Sequence, residues 1–329
     1  MADNRGTEKF RWFFIGSGSI AARTSRELIS SIKHEITYIF SRNFKTGSRL
    51  ADQTGAVYVN SLEEADFSSI DGIYIATPQN THFELISQCL RYKKPMLVEK
   101  PFVVNMREMN QVKKLSQEHD IIITEAMCML FNPLLKQIKE ECRRLAPIRI
   151  IKINYACAMM YLLRKPRLLD KNCAGGALLE IGTYAVSFCN YILDSQLKKI
   201  SVQAKVKDGV DLGECINLDY EDTKCRLYIS LQAFKGIPKA VVIGEKGKLT
   251  VPWFSNPDKY FVSVNGRRRY KMNAGKYIYE FDAFSDMVRN GCRDYDEVLK
   301  CTEKTIRCMD ILRKEMGVVF PQDKKDGEE

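Results

Sequence analysis

An apolar run, Trp12-Phe13-Phe14-Ile15, stops at Gly16-Ser17-Gly18 and gives way at once to a helical pattern from Ser19 to Ser31. A buried strand that turns straight into a helix through two glycines leaves few folds open. The turn is tight, and only residues without a β-carbon tolerate the close backbone approach. The alternation then repeats. Ile36 to Phe40, Gly72 to Ala76, Pro95 to Val98 and Ile121 to Thr124 read as strands, and Ile20 to Ser31, Lys45 to Thr54, His82 to Tyr92 and Met106 to Glu118 read as helices. Strands alternating with helices require a parallel sheet covered on both faces, and near-continuous apolar strands fit that burial.

The pattern changes after residue 147. One helix is expected from Gly176 to Ile192, then strands at Lys199 to Val206, Cys215 to Tyr220, Lys224 to Ala233, Lys239 to Ile243 and Tyr260 to Val264. Asp208-Gly209, Glu221-Asp222, Gly244 to Gly247 and Asn265-Gly266 punctuate them, which predicts hairpins and an antiparallel sheet. Two helices, about Tyr277 to Asn290 and Asp296 to Met316, close the chain, and the charged tail Lys324 to Glu329 is expected to fray. A length of 329 residues suits about two domains. The fold class is α/β: an N-terminal Rossmann doubly wound parallel sheet over residues 1–126, then a C-terminal α+β domain over residues 127–329. The second domain is built on an open, mostly antiparallel sheet. A sheet with one face covered leaves the other for a partner, so a homodimer or higher homo-oligomer is expected.

Composition narrows the class. The 45% hydrophobic content suits a globular protein. No apolar run reaches the roughly 18 residues of a membrane span, and the polar stretch Met1 to Lys9 lacks the apolar centre of a signal peptide, so a cytoplasmic location is expected. The 11 cysteines form no C-x-x-C pair, and the 3 histidines (His34, His82, His119) all precede residue 127. No metal site is expected; the thiols read as reduced, buried small hydrophobes. Of the formal charge of +10, +1 falls on residues 1–126 and +9 on 127–329. Apart from Arg267-Arg268-Arg269 the excess is scattered, which argues against nucleic acid and for attraction of anionic small molecules.

Gly16-Ser17-Gly18-Ser19-Ile20-Ala21 is a G-x-G-x-x-A form of the dinucleotide fingerprint. The first glycine permits the turn, the second admits a pyrophosphate at the helix N-terminus, and the small Ala21 lets helix and sheet pack closely. The end of the second strand chooses between nicotinamide cofactors. NAD sites place a carboxylate there for the ribose hydroxyl. Here the strand runs into Ser41-Arg42-Asn43, and an arginine suits a 2′-phosphate, so NADP is favoured with NAD as the alternative. Ala76-Thr77-Pro78-Gln79-Asn80-Thr81-His82 follows the next strand. Pro78 imposes an extended turn that brings Thr77 and Asn80 to the same sheet edge, and His82 reads as helix-start packing. Glu99-Lys100-Pro101 ends the strand after that, placing an amine at the edge where such sheets hold their ligand.

Together, G-S-G-S-I-A, A-T-P-Q-N-T-H and V-E-K-P resemble the glucose-fructose oxidoreductase / inositol dehydrogenase / MocA (Gfo/Idh/MocA) family. The resemblance continues through Ala174-Gly175-Gly176-Ala177-Leu178-Leu179-Glu180-Ile181-Gly182-Thr183-Tyr184, Val242 to Gly247 and Met309 to Arg313, and is greatest with the branch of dimeric dihydrodiol dehydrogenase and sugar dehydrogenases. It implies that Lys100 is the active-site lysine, that Glu99 supports it, that Pro101 follows a cis bond, and that the second domain dimerises. Three positions depart from the family pattern: Glu180 stands for Asp, Ala174 for the first Gly of a turn where a β-carbon resists positive φ, and Leu130 for an Arg near the active site.

Hydride transfer to a carbonyl leaves negative charge on oxygen, which needs a donor and a proton. Lys100 can supply the charge and Tyr184 the proton, and Glu180 lies four residues before Tyr184 on one predicted helix. The segment Tyr161 to Lys171 adds Arg164, Lys165, Arg167 and Lys171, which either meet an anionic or polyhydroxylated substrate or are merely solvated. The expected function is an NAD(P)-dependent oxidoreductase acting on a secondary alcohol or carbonyl of a sugar, cyclitol or dihydrodiol. The alternative is a catalytically silent NAD(P)-binding sensor or regulatory protein on the same fold.

Overall fold

The computed structural model describes residues 8–233, 238–265, 267–272, 276–291 and 296–324. The N-terminal stretch before residue 8, Gly266, Cys292, the tail beyond residue 324 and the side chains of Arg267, Arg268 and Arg269 lie outside the described residues. Contacts divide the chain into two compact units. The first holds the chain through Val103, Asn110–Met127 and Lys276–Leu299; the second holds Val104–Met109, Cys128–Gly275 and the chain from Lys300 onward. A single cut between residues 126 and 127 therefore does not describe the division, because a late segment returns to the first unit.

The first unit holds β1 (Phe10–Ile15), α1 (Ser19–Leu28), β2 (His34–Phe40), α2 (Phe44–Thr54), β3 (Val57–Val59), β4 (Gly72–Ile75), α3 (His82–Cys89), β5 (Met96–Glu99), α4 (Met106–His119, its first turn in the second unit) and β6 (Ile123–Ala126), and apart from β3 strands and helices alternate as expected. The strands form one parallel sheet in the order β3-β2-β1-β4-β5-β6. Strand order reverses between β1 and β4, so a crevice opens beyond their carboxyl ends. Trp12, Phe13, Phe14 and Ile15 are fully buried. A helix from the far end of the sequence, Ile278–Asn290, completes this core. Its Phe281 and Phe284 rings lie 5.0 and 5.4 Å from Trp12, and Phe281 lies 4.9 Å from Tyr74.

The second unit carries α5 (Cys128–Phe131), α6 (Pro133–Leu145), β7 (Ile148–Ala158), α7 (Met159–Leu163), α8 (Thr183–Ile192), β8 (Leu197–Lys207), β9 (Val210–Tyr220), β10 (Lys224–Ala233), β11 (Lys239–Gly244), β12 (Gly247–Pro252), β13 (Lys259–Val264) and β14 (Arg267–Met272). The late helix of the first unit is α9, and α10 (Asp296–Met316) follows it. Eight strands form one sheet in the order β14-β13-β12-β11-β7-β10-β9-β8. Among the described residues only β7 and β10 pair in parallel; the other neighbours are antiparallel. The fold class is as the sequence predicts, with a mixed, mostly antiparallel second sheet.

Several elements differ from the sequence expectation. The central strand β7, and β3, β12 and β14, were not among the predicted strands. Ile148-Arg149-Ile150-Ile151-Lys152-Ile153 nevertheless places basic residues between isoleucines, and the half-buried strand it forms has Ile151 and Ile153 inward and Arg149 and Lys152 outward. The helix expected from Gly176 is not uniform: Leu178–Gly182 is a π-helical turn that leads into α8. Ala174 adopts the left-handed conformation (φ 51°) despite its β-carbon.

Candidate active site

At the carboxyl edge of β1, β2 and β4 the first unit encloses a cleft of about 520 Å³, lined by Gly16, Ser17, Gly18, Ser41, Arg42, Asn43, Ala76, Thr77 and Pro78 among others. Gly16 has φ +114°, and a β-carbon on it would lie 2.5 Å from the Ala76 carbonyl oxygen. No other residue fits that turn. Gly18 is the N-cap of α1, makes no side-chain cap, and has open space where a β-carbon would be. The first turn of α1 carries no acidic residue. Its unfilled N–H groups and positive dipole end suit a pyrophosphate.

Hydroxyls hold the opposite wall. The Ser17 Oγ is 2.7 Å from both Ser41 Oγ and Thr46 Oγ1. The Asn43 side chain caps α2 by accepting from the Thr46 N–H, and the Tyr58 hydroxyl donates to the Ser41 carbonyl. Arg42 therefore projects from a braced loop, and no carboxylate stands at the end of β2; the cleft's carboxylate is Glu84, on α3. Ser19 and Ile20 open α1, and Asn80 lies in a 3₁₀ turn before α3; none of these three lines the cleft.

Lys100 follows β5, and the Lys100–Pro101 bond is cis. The Lys100 N–H donates to the Glu99 carboxylate at 3.1 Å, and that carboxylate accepts the buried Tyr74 hydroxyl at 2.6 Å. The Phe102 N–H donates to Glu125 at 3.0 Å. Burial and the neighbouring Glu99 push the Tyr74 phenol well above its usual range. Glu280 of α9 is also buried and lies near Glu99; desolvation, then the Glu99 charge, raise its carboxyl well above the ordinary value. His82 does more than pack. Its Nε2 is 2.9 Å from the Thr77 carbonyl and its Nδ1 3.1 and 3.2 Å from those of Pro101 and Phe102. One buried ring thus sits between the loop after β4 and the turn that carries Lys100 and donates its single N–H to one of them.

In the second unit, the π turn places Glu180 almost fully out of solvent. Its Oε1 accepts from the Tyr161 hydroxyl and, at 2.9 Å, from Lys165 Nζ; its Oε2 accepts from Arg167 Nη2 at 3.1 Å. Lys165 also donates to the Tyr161 oxygen at 2.7 Å. Burial, reinforced by the Glu180 charge, drives the Tyr161 phenol far above its usual range. Sequence reasoning passed over Tyr161, and treated Lys165 and Arg167 as loop charge, because the three lie 13 to 19 residues from Glu180.

Tyr184 is half-buried, its ring 6.1 Å from that of Tyr155. Beneath the π turn, Asp211 accepts the Leu178 N–H at 2.6 Å. Leu130 is buried within α5, an apolar side chain where the family resemblance implies an arginine. Among the described residues no group of three or more His, Cys, Asp or Glu side chains could hold a metal, and no helix is long and apolar enough to cross a membrane.

Two sequence profiles match the chain. Residues 10–127 match the Gfo/Idh/MocA oxidoreductase family, NAD-binding Rossmann fold, and residues 142–250 match the GFO/IDH/MocA C-terminal domain. The protein belongs to the Gfo/Idh/MocA oxidoreductase family. Mouse trans-1,2-dihydrobenzene-1,2-diol dehydrogenase is 26% identical across 96% of this chain and 99% of its own length. The Bacillus subtilis scyllo-inositol 2-dehydrogenase (NADP(+)) IolU is 22% identical across 95% and 99%. The fold is shared with KijD10, a 3-ketoreductase from Actinomadura kijaniata solved with NADP and TDP-benzene, at a TM-score of 0.85 and 19% identity over 94% of this chain and 98% of that one. GenD2 from gentamicin A biosynthesis, solved with NAD, has a TM-score of 0.78 and 16% identity over 94% and 95%. The Rossmann unit is thus that of an NAD(P)-binding oxidoreductase.

Proposed function

We propose that the protein is an oxidoreductase with preference for NADP that interconverts a secondary alcohol and a carbonyl on a sugar, cyclitol or dihydrodiol. The observation that carries the reading is the cleft around Gly16 and Gly18 with Arg42 on its wall and no carboxylate at the end of β2. The backbone of the Gly16-Ser17-Gly18 turn would hold the pyrophosphate, and Ser41 and Arg42 the 2′-phosphate. When bound, the cofactor supplies or accepts the hydride. Lys100, fixed through Glu99 and the His82-bound turn, would stabilise the substrate oxygen. Tyr184 would carry its proton. Glu180, with both oxygens bound by Tyr161, Lys165 and Arg167, serves to orient these groups rather than to abstract a proton.

The experiment follows nicotinamide absorbance with NADP⁺, NADPH, NAD⁺ and NADH against a panel of sugars, cyclitols, diols and their ketones. Lys100→Ala is expected to lower kcat about a thousandfold while cofactor affinity stays within about threefold. Arg42→Ala is expected to lower kcat/KM for NADP by roughly tenfold or more and leave NAD unchanged. Undiminished turnover by the Lys100 variant would sink the assignment. The commitment of Glu180 to protein partners favours a second reading, a cofactor-binding sensor; it predicts cofactor binding with no turnover across the whole panel. The relatives' substrates support the class of ligand on the panel, and the enzyme would work as a homodimer.

A further inference from the structure

The second unit holds another cavity, of about 560 Å³, formed by α10, the end of α8, the start of β8 and Tyr220 of β9. It shares no residue with the cofactor cleft and is comparable to it in size. Pockets of this volume bury most of a drug-sized molecule. Its walls are apolar: Leu193, Leu197, Ile200 and Ile311. Ile311 is 42% exposed, an isoleucine left facing water. The floor is polar and rigid. The Tyr220 hydroxyl donates to Asn190 Oδ1 at 2.8 Å, and Asn190 Nδ2 donates to the buried Thr305 at 3.2 Å.

The charge around the cavity is lopsided. Lys198, Lys199, Lys304 and Arg307 line it against a single carboxylate, Asp194. That carboxylate is held by Lys139 and Arg143 outside the lining. Lys198 is paired with Glu221 and Arg307 with Glu303. Lys199 and Lys304 have no ion-pair partner among the described residues. An apolar body selects for burial without direction, and two unpaired ammonium groups select the sign of the charge.

We propose that this cavity binds a small organic anion, with an aromatic or alicyclic body on the leucine and isoleucine walls and a carboxylate or sulfonate at Lys199 and Lys304. The site is independent of the proposed reaction. The two lysines are solvent-exposed, so reversing their charge spares the core.

The full-length protein is titrated with 8-anilinonaphthalene-1-sulfonate, and the fluorescence rise is followed with and without saturating NADP⁺. The expected result is saturable binding of one probe per chain, unaffected by NADP⁺. It should weaken roughly tenfold or more in Lys199→Glu/Lys304→Glu and be lost in Ile311→Trp, which fills the cavity. Naphthalene-2-carboxylate should displace the probe, and the neutral naphthalene-2-methanol should need roughly tenfold more. Unchanged melting of both variants confirms that the fold is kept. Four results overturn the proposal: no saturable rise, displacement by NADP⁺, indifference to the charge reversal, or equal displacement by the neutral competitor. A change of light-scattering mass in either variant would assign the cavity to a contact between copies and overturn it equally.

Discussion

Burial lowers the His82 imidazole from its ordinary range, and it outweighs the raising effect of three backbone carbonyls around the ring. The folded pKa lies below that of the unfolded chain, so on acidification the unfolded chain takes up the proton first. Stability from this residue is therefore present above the ordinary histidine value of about 6.5 and is lost as pH falls below it. His82→Asn removes both the ring and its titration. Native protein should melt above the variant at about pH 7.5, and the gap should narrow toward about pH 5. His34, also lowered by burial, titrates in both proteins and cancels from the difference. A gap that does not change with pH would remove the titration argument. At this scale the sequence was legible where chemistry is local. Gly16, Gly18, Arg42 and Lys100 each stand next to the strand end that explains them. Tyr161 was not legible, because the carboxylate that gathers it with Lys165 and Arg167 lies 19 residues further on.

The π turn Leu178–Gly182 is held from below by one carboxylate. Asp211 is fully buried and accepts the Leu178 N–H, and Gly176, with φ +120°, leaves no room beside it: a β-carbon there would lie 2.2 Å from Asp211 Oδ1. Gly176→Ala therefore meets both backbone strain and a clash. A loss of about 2–4 kcal/mol is expected, read as a fall in melting temperature of roughly 5–15 °C. Ala174→Gly should behave in the opposite way. Ala174 already occupies the left-handed region at φ 51°, so losing its β-carbon relieves strain and should change stability by less than about 1 kcal/mol. Equal losses in the two variants would show that neither conformation nor the Asp211 contact governs the turn. The same element shows why spacing alone misled. Four-residue spacing implied an α-helical face for Glu180 and Tyr184, but a π turn widens the helix, and such turns come from tertiary packing. Strand β7 was missed for a different reason: its alternation was broken by Ile150-Ile151, and its central place follows only from pairing with β10 and β11.

For the whole molecule, the sequence order of elements gave two domains but could not show that Lys276–Leu299 belongs with the first, because Phe281 and Phe284 find Trp12 only in three dimensions. The open face of the second sheet leads to the remaining prediction. Register places Phe261 opposite Thr250 and Tyr270, and on through Val241 and Lys152 to Arg226, two residues from Tyr228 on the same face. Tyr228, Phe261 and Tyr270 are 45%, 45% and 70% exposed. Eight strands about 4.8 Å apart make a face roughly 34 Å wide, and six to eight residues at about 3.3 Å each make it roughly 20–26 Å long. That is near the ~800 Å² each partner contributes to a stable interface. The proposed homodimer would use this face, since aromatic side chains ringed by polar ones suit an isologous contact. Light scattering should then give twice the 37.8 kDa mass of one chain. Tyr228→Lys/Phe261→Lys sets like charges against each other across a two-fold axis and should shift the protein to a monomer without lowering NADP⁺ affinity. A monomeric native protein, or a charged variant that stays dimeric, would place the contact elsewhere or remove it.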